Sequence, residues 1–120
     1  MKKMTSVENW ANTIQFRSPA KMIELYADNA ILIPTFDKIL QGKKLIKNYF
    51  VEFLNKNGLT CKIEKNQSIP LGNGFHTCNG YYKFEFLDDS GVNTTVLARY
   101  TYIFNKSGKI IVHHSSEQPT

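Results

Sequence analysis

From Thr60 to Ser116 the chain reads as four successive runs of strand-forming residues, broken only by short turns that carry glycine. The runs are Thr60 to Ile69, Phe75 to Leu87, Val92 to Phe104 and Lys109 to Ser116. Between them lie Pro70-Leu-Gly-Asn-Gly74, Asp88-Asp-Ser-Gly91 and Asn105-Lys-Ser-Gly108. Connections this short join neighbouring antiparallel strands, so half the chain is committed to a meander before anything else is considered.

The first half has a different period. Val7, Trp10, Ala11 and Ile14 form an i, i+3, i+4, i+7 stripe, which predicts a helix over Ser6 to Phe16 capped by Thr5 or Ser6. Arg17-Ser18-Pro19 breaks it, and Ser18 caps a second helix that opens on Pro19, buries Met22, Ile23 and Tyr26, and ends at Asp28-Asn29. Ala30 to Pro34 reads as a short strand and Thr35 to Gln41 as a loop. A third helix is expected from Lys43 to about Lys56, with Leu45, Ile46, Tyr49, Phe50, Phe53 and Leu54 as a wide apolar face. Three N-terminal helices on a strongly curved, mainly antiparallel sheet make the class α+β, as one domain over residues 1–120.

Pairing across the turns places side chains on faces. If Asp88 to Gly91 form the whole turn, Gly80 lies opposite Arg99 and Tyr82 opposite Leu97. His76, Cys78, Gly80, Tyr82, Phe84 and Phe86 then share a face with Arg99 and Thr101. Tyr100, Tyr102 and Phe104 fall on the other face, as an aromatic patch suited to a second subunit. Across the preceding turn Cys61 faces Phe84 and Cys78 faces Gln67, too far apart for a disulfide. The last hairpin leaves His113 or His114 inward. The apolar alternation Ile110, Val112 prefers His114.

Composition excludes more than it proposes. Fifteen Lys plus Arg against ten Asp plus Glu give a net charge of +5, but only Lys43, Lys44 and Lys47 cluster. A solvated basic surface accounts for this, and no nucleic-acid partner is called for. No apolar run spans a membrane and no h-region follows Met1-Lys-Lys, so no membrane partner and a cytoplasmic address are expected. His113 and His114 point to opposite faces of a strand and cannot share a metal, so neither a metal nor a cofactor is expected.

Trp10, Leu25-Tyr-Ala-Asp28, Leu32-Ile-Pro-Thr35, Gly42, Ile46, Tyr49-Phe50, Gly80, Tyr82, Phe84, Ala98-Arg-Tyr-Thr101, His113-His-Ser-Ser116 and Pro119 occur in the order of a known family. The chain resembles the nuclear transport factor 2-like superfamily, a cystatin-like cone shared with ketosteroid-isomerase-like and polyketide-cyclase-like proteins. Within it the chain is most similar to bacterial stand-alone relatives of the calcium/calmodulin-dependent protein kinase II association domain. The resemblance implies an internal pocket, self-association as a dimer or larger ring, and anionic ligands, because the association domain's pocket is lined by arginine.

The expected pocket residues are Trp10, Tyr49, Phe53, Tyr82, Arg99 and His114 or His113. Arg99 would hold a carboxylate as a bidentate cation, unless Glu85, Asp28 or Asp37 neutralises it inside the fold. Two functions are open: an oligomeric domain that binds a small anionic molecule or assembles, with Tyr100, Tyr102 and Phe104 at the interface, or a small isomerase, dehydratase or cyclase. The enzyme needs a general base. His114 or His113 is the candidate, since the carboxylates Asp28, Asp37 and Glu24 lie on the helical side.

Overall fold

A computed structural model describes residues 5–119. The helix α1 (Ser6–Thr13) starts where the capping chemistry puts it. Thr5 Oγ1 accepts from the Glu8 backbone N–H at 3.2 Å, and Glu8 Oε1 accepts from the Thr5 N–H at 3.0 Å. A 3₁₀ turn (Ile14–Phe16) follows, and Arg17 in the left-handed region (φ 53°) ends it. Val7, Trp10, Ala11 and Ile14 are all buried, as their spacing requires. Ser18 caps α2 (Pro19–Ile23), its Oγ accepting from the Lys21 N–H at 3.2 Å.

β1 (Tyr26–Ile33) begins earlier than its apolar run suggests, and α2 stops correspondingly sooner. The cause is tertiary. Tyr26 pairs with Ile110, and the Ile110 N–H donates to the Leu25 carbonyl at 2.8 Å. A two-residue strand, β2 (Leu40–Gln41), lies in the expected loop, and α3 (Lys43–Phe53) follows. Ile46, Phe50 and Leu54 are buried and Tyr49 and Phe53 are partly buried, whereas Leu45 is exposed. The long strands are β3 (Asn57–Gly72), β4 (Phe75–Leu87), β5 (Asn93–Phe104) and β6 (Ile110–Glu117).

The six strands form one curled, unclosed sheet in the order β2-β1-β6-β5-β4-β3. β1 and β6 run parallel; the other neighbours are antiparallel. The helices lie against the inner face of this curl, and the core sits between them and the inward side chains of β4, β5 and β6.

Both late hairpins contain one more residue than the turn signal suggests. In the first, the Asp88 N–H donates to the Val92 carbonyl at 2.9 Å and the Gly91 N–H to the Asp88 carbonyl at 2.9 Å. Gly91 sits at φ 79°, the left-handed position of a bulged turn, so Leu87 pairs with Asn93. The second hairpin repeats the device, with Gly108 at φ 79° and Phe104 opposite Ile110. A slip of one residue inverts every side chain of the slipped strand. Tyr82 therefore lies opposite Ala98 and Gly80 opposite Tyr100.

The consequence for β5 is a correction. Tyr100, Tyr102 and Phe104 are buried in the core, not displayed as an outer interface patch, and Arg99 is exposed on the outer face. In β6 a further irregularity at Ile111 shifts the register between Phe104 and Ile103, so His113 and Ser115 point inward and His114 points out. On β3 a similar shift near Glu64 puts Cys78 opposite Ser68 instead of Gln67, while Cys61 does face Phe84. Both thiols are free.

Gly80, opposite Tyr100 and not Arg99, marks a close approach between strands. A Cβ there would drive into the Lys65 carbonyl and stand 2.9 Å from the Tyr100 hydroxyl. That hydroxyl lies 2.9 Å from both the Lys65 carbonyl oxygen and Asn66 Oδ1, which share its one hydrogen and tie β5 to β3 across the glycine. Gly80→Ala is expected to lose about 2–3 kcal/mol of stability, because backbone must move to admit the methyl group. Urea unfolding checks this, and an unchanged midpoint would show that β3 yields freely.

Candidate functional site

α1, the end of β1, the loop after it, α3 and the inner faces of β4, β5 and β6 enclose a cavity of about 240 Å³. Its floor is aromatic. The Trp10 ring lies 5.8 Å from Tyr82 and 6.3 Å from Phe84, centroid to centroid, and Phe53 stands edge-on to Phe84 at 5.5 Å. Tyr49 stacks on Phe53 at 5.5 Å. The four aromatic residues named from the sequence, Trp10, Tyr49, Phe53 and Tyr82, all line this space.

The two expected polar anchors do not. Arg99 projects from the opposite face of the sheet, where its Nε donates to Ser116 Oγ at 3.3 Å. None of the acids weighed as its partner meets it: Glu85 pairs with Lys83 and Asp28 with Lys43, each at 3.6 Å, and Asp37 lies at the cavity. His114 is exposed opposite Thr101, so of the two histidines it is His113 that lines the cavity. Among the described residues no arginine lines it. The charges present are Asp37, Glu52 and Lys56, all exposed residues, with the Lys56 ammonium 4.6 Å from the centre of the Phe86 ring.

His113 is the polar centre. The Trp10 indole N–H donates to the Tyr26 hydroxyl at 3.0 Å, which is 2.9 Å from His113 Nδ1. On the other side of the ring, Nε2 is 3.2 Å from the Tyr82 hydroxyl. Tyr102 stacks on the imidazole at 3.9 Å, and its own buried hydroxyl has no hydrogen-bond partner among the described residues. Ser115, two residues along the same strand face, hydrogen-bonds to Thr35 with 2.7 Å between the hydroxyl oxygens.

Burial controls the protonation of this cluster. It pushes the His113 pKa down to about 3, helped by the neighbouring His114. It raises the hydroxyls of Tyr26, Tyr82 and Tyr102 above the usual phenol range. Tyr49 is pushed up to about 12, first by burial and then by the charge of Asp37. At neutral pH the inner wall is therefore uncharged, and His113, with both nitrogens engaged by phenols, is a poor proton acceptor.

Several lining residues were not expected: Thr35, Asp37, Glu52, Lys56, Phe84, Phe86, Val96 and Ser115. Phe84, Phe86 and Ser115 carried a signal in strand parity with Tyr82 and His113. Thr35 and Asp37 lie on the loop after β1, and no pattern in the sequence aims a loop. No group of three or more His, Cys, Asp or Glu side chains that could hold a metal occurs among the described residues. No described helix is long and apolar enough to cross a membrane.

The curled sheet, the helices against its inner face and the cavity between them define a nuclear transport factor 2-like cone. Residues 3–119 match the model of the calcium/calmodulin dependent protein kinase II association domain, and the chain belongs to that family. A Xanthomonas campestris structure described by the same family name superposes with a TM-score of 0.86 at 32% identity, over 94% of this chain and 83% of that one. The epoxide hydrolase/cyclase-like enzyme SalBIII, from formation of a pyran ring in salinomycin, superposes with a TM-score of 0.77 at 14% identity, over 94% and 88%. The canthaxanthin-binding orange carotenoid protein of Anabaena (Nostoc) gives 0.74 at 18% identity, over 96% of this chain and 36% of that one. The last two likenesses are of fold alone. No curated protein matches the chain.

The buried histidine makes a pH prediction whose sign follows from its folded-state value lying below its ordinary 6.5. The unfolded chain then takes up the proton first, so the stabilisation is full above pH 6.5 and is lost as the pH falls toward 3. The other titratable groups facing His113 are Tyr26, Tyr82 and Tyr102, which stay neutral throughout. Below pH 6.5 the wild type should lose roughly 1.4 kcal/mol per pH unit more than His113→Gln. Urea unfolding of both proteins between pH ~7 and ~4.5 reads the difference, and parallel slopes would mean that His113 is protonated in the fold.

Proposed function

We propose that this protein is a self-associating domain that holds a small, mostly apolar molecule in the cavity beneath Trp10. The observation that carries the reading is the lining itself: mostly aromatic rings, with the hydroxyl-bearing residues Tyr82, Ser115 and Thr35 among them. About 240 Å³ is below the ~300–1,000 Å³ usual for larger ligands, so the guest is small. An anionic guest has less support than the sequence suggested. Arg99 faces away, and the single lysine of the lining, Lys56, shares it with Asp37 and Glu52.

An enzymatic reading, an isomerase, dehydratase or cyclase, keeps one specific support. Asp37 lines the cavity near enough to Tyr49 to shift its pKa, and a carboxylate is the usual base for such chemistry. That reading transfers the basic role from histidine to Asp37.

Self-association draws support from membership of a family described as an association domain. The surface we assign to it is the outer face of β4 and β5. Tyr81 and Leu97 are 41% and 46% exposed there, beside Arg99, and a second copy of the chain is the occupant.

Trp10 is the only tryptophan, so its fluorescence reports on the cavity directly. Indane is expected to shift Trp10 emission saturably, and Val96→Phe, which fills the space, should weaken that binding at least about 10-fold. An unsaturable response, or equal affinity in the variant, would place the probe elsewhere and remove the binding reading. For assembly, sedimentation at micromolar concentration should show a dimer or larger species that Leu97→Glu dissociates. A wild-type monomer would end the proposal of self-association, and an intact Leu97→Glu oligomer would move the interface off this face.

A further inference from the structure

The hydrogen bonds around His113 have a direction, and the direction is set by Trp10. An indole N–H can only donate. It gives its hydrogen to the Tyr26 oxygen at 3.0 Å. The Tyr26 hydroxyl is fully buried, and besides Trp10 its one neighbour of hydrogen-bonding kind in this network is His113 Nδ1 at 2.9 Å. Its own hydrogen must go there, because the alternative leaves a buried O–H with no acceptor. Nδ1 is thereby an acceptor. A neutral imidazole then carries its hydrogen on Nε2, which donates to the Tyr82 oxygen at 3.2 Å.

The Tyr82 hydrogen is what remains. It has no acceptor left on His113, and Tyr82 lines the cavity together with Ser115 and Thr35. Ser115, the neighbouring hydroxyl of the lining, is hydrogen-bonded to Thr35 with 2.7 Å between the oxygens. Had the imidazole been the other tautomer, Tyr82 would point its hydrogen back at Nε2 and show the cavity only lone pairs. The relay Trp10–Tyr26–His113–Tyr82 therefore fixes the polarity of the cavity wall.

We infer that the cavity selects neutral molecules carrying a hydrogen-bond acceptor, with a ketone or ester carbonyl oxygen received by the Tyr82 hydroxyl. This deepens the binding reading above and rests on it. A phenol is a good neutral donor, and every ring around it disfavours a charged guest. Trp10 and Tyr26 act here as positioning residues: neither needs to touch the guest, yet both decide which way Tyr82 donates.

The experiment compares two probes of nearly one shape, 1-indanone and indane, in NMR titrations of the whole chain. Indanone is expected to bind about 3- to 10-fold more tightly than indane, the range of one neutral hydrogen bond. Tyr82→Phe should bring the two affinities together. A tautomer measurement on the unsubstituted protein needs no variant to fold: the His113 ring ¹⁵N signals should be pyrrole-like at Nε2 and pyridine-like at Nδ1. Equal binding of the probes by the wild type overturns the donor assignment and leaves the binding reading standing. A preference that survives in Tyr82→Phe, or a hydrogen found on Nδ1, overturns it as well. Failure of both probes to bind removes the cavity reading and this inference together.

Discussion

Side chains on a strand alternate between two faces, and in this molecule everything at the candidate site hangs on where that alternation starts. One residue added at the Gly91 turn puts Ala98, Tyr100, Tyr102 and Phe104 inside and Arg99 outside. The opposite phase would place Leu97, Arg99 and Thr101 in the core, where a guanidinium would have to be desolvated. Two independent preferences thus agree: the left-handed backbone that glycine adopts without strain, and the cost of burying a cation. The Gly108 turn and the irregularity at Ile111 settle β6 in the same way, and the histidine that results is His113.

Once those phases are set, the polar core is nearly determined. Trp10 reaches the sheet because the α1 stripe faces it, and Tyr26 because β1 begins alongside the start of β6. His113 is held between their hydrogen bonds and the Tyr102 ring. A buried network of this kind is stabilising when its donors find acceptors, and this one runs in a single direction from Trp10 through Tyr26 and His113 to the Tyr82 oxygen. Tyr102 shows the contrast. Its ring packs on His113 and Phe104, but its hydroxyl has no partner among the described residues, so Tyr102 contributes there as a ring and not as a polar group.

What the sequence made legible follows from the range over which each signal acts. The α1 stripe, the Thr5 and Ser18 caps and the four strands are local, and they are where the spacing puts them. So are Trp10, Tyr49, Phe53 and Tyr82, each read from the phase of its own element. His114 was preferred from the alternation Ile110, Val112, which the irregularity at Ile111 interrupts. Arg99, Tyr100, Tyr102 and Phe104 were misplaced for one shared reason. Their faces were carried across a turn by counting, and Asp88-Asp-Ser-Gly91 does not state whether Val92 belongs to the turn or to the strand. The left-handed glycine followed by one more loop residue was the available signal. The start of β1 at Tyr26 was hidden for another reason: its partner, Ile110, is more than eighty residues away, and helical propensity near Met22 extends over the boundary.

The same alternation that caused the misreading also separates the two roles assigned to the sheet. Tyr82 faces the cavity and Tyr81 the outside; Val96 and Ala98 face in and Leu97 and Arg99 face out. On the proposed function, a strand of this kind would serve a guest and a neighbouring copy through separate residues. A change confined to one set leaves the other in place as long as the register holds. The register in turn rests on features remote from both faces: the bulged turns at Gly91 and Gly108, and Gly80, where β5 reaches across to the Lys65 carbonyl. Those glycines lie outside both sets of residues. They fix which side of the sheet each chemistry is on, and that makes them the positions where a single added carbon would disturb both roles together.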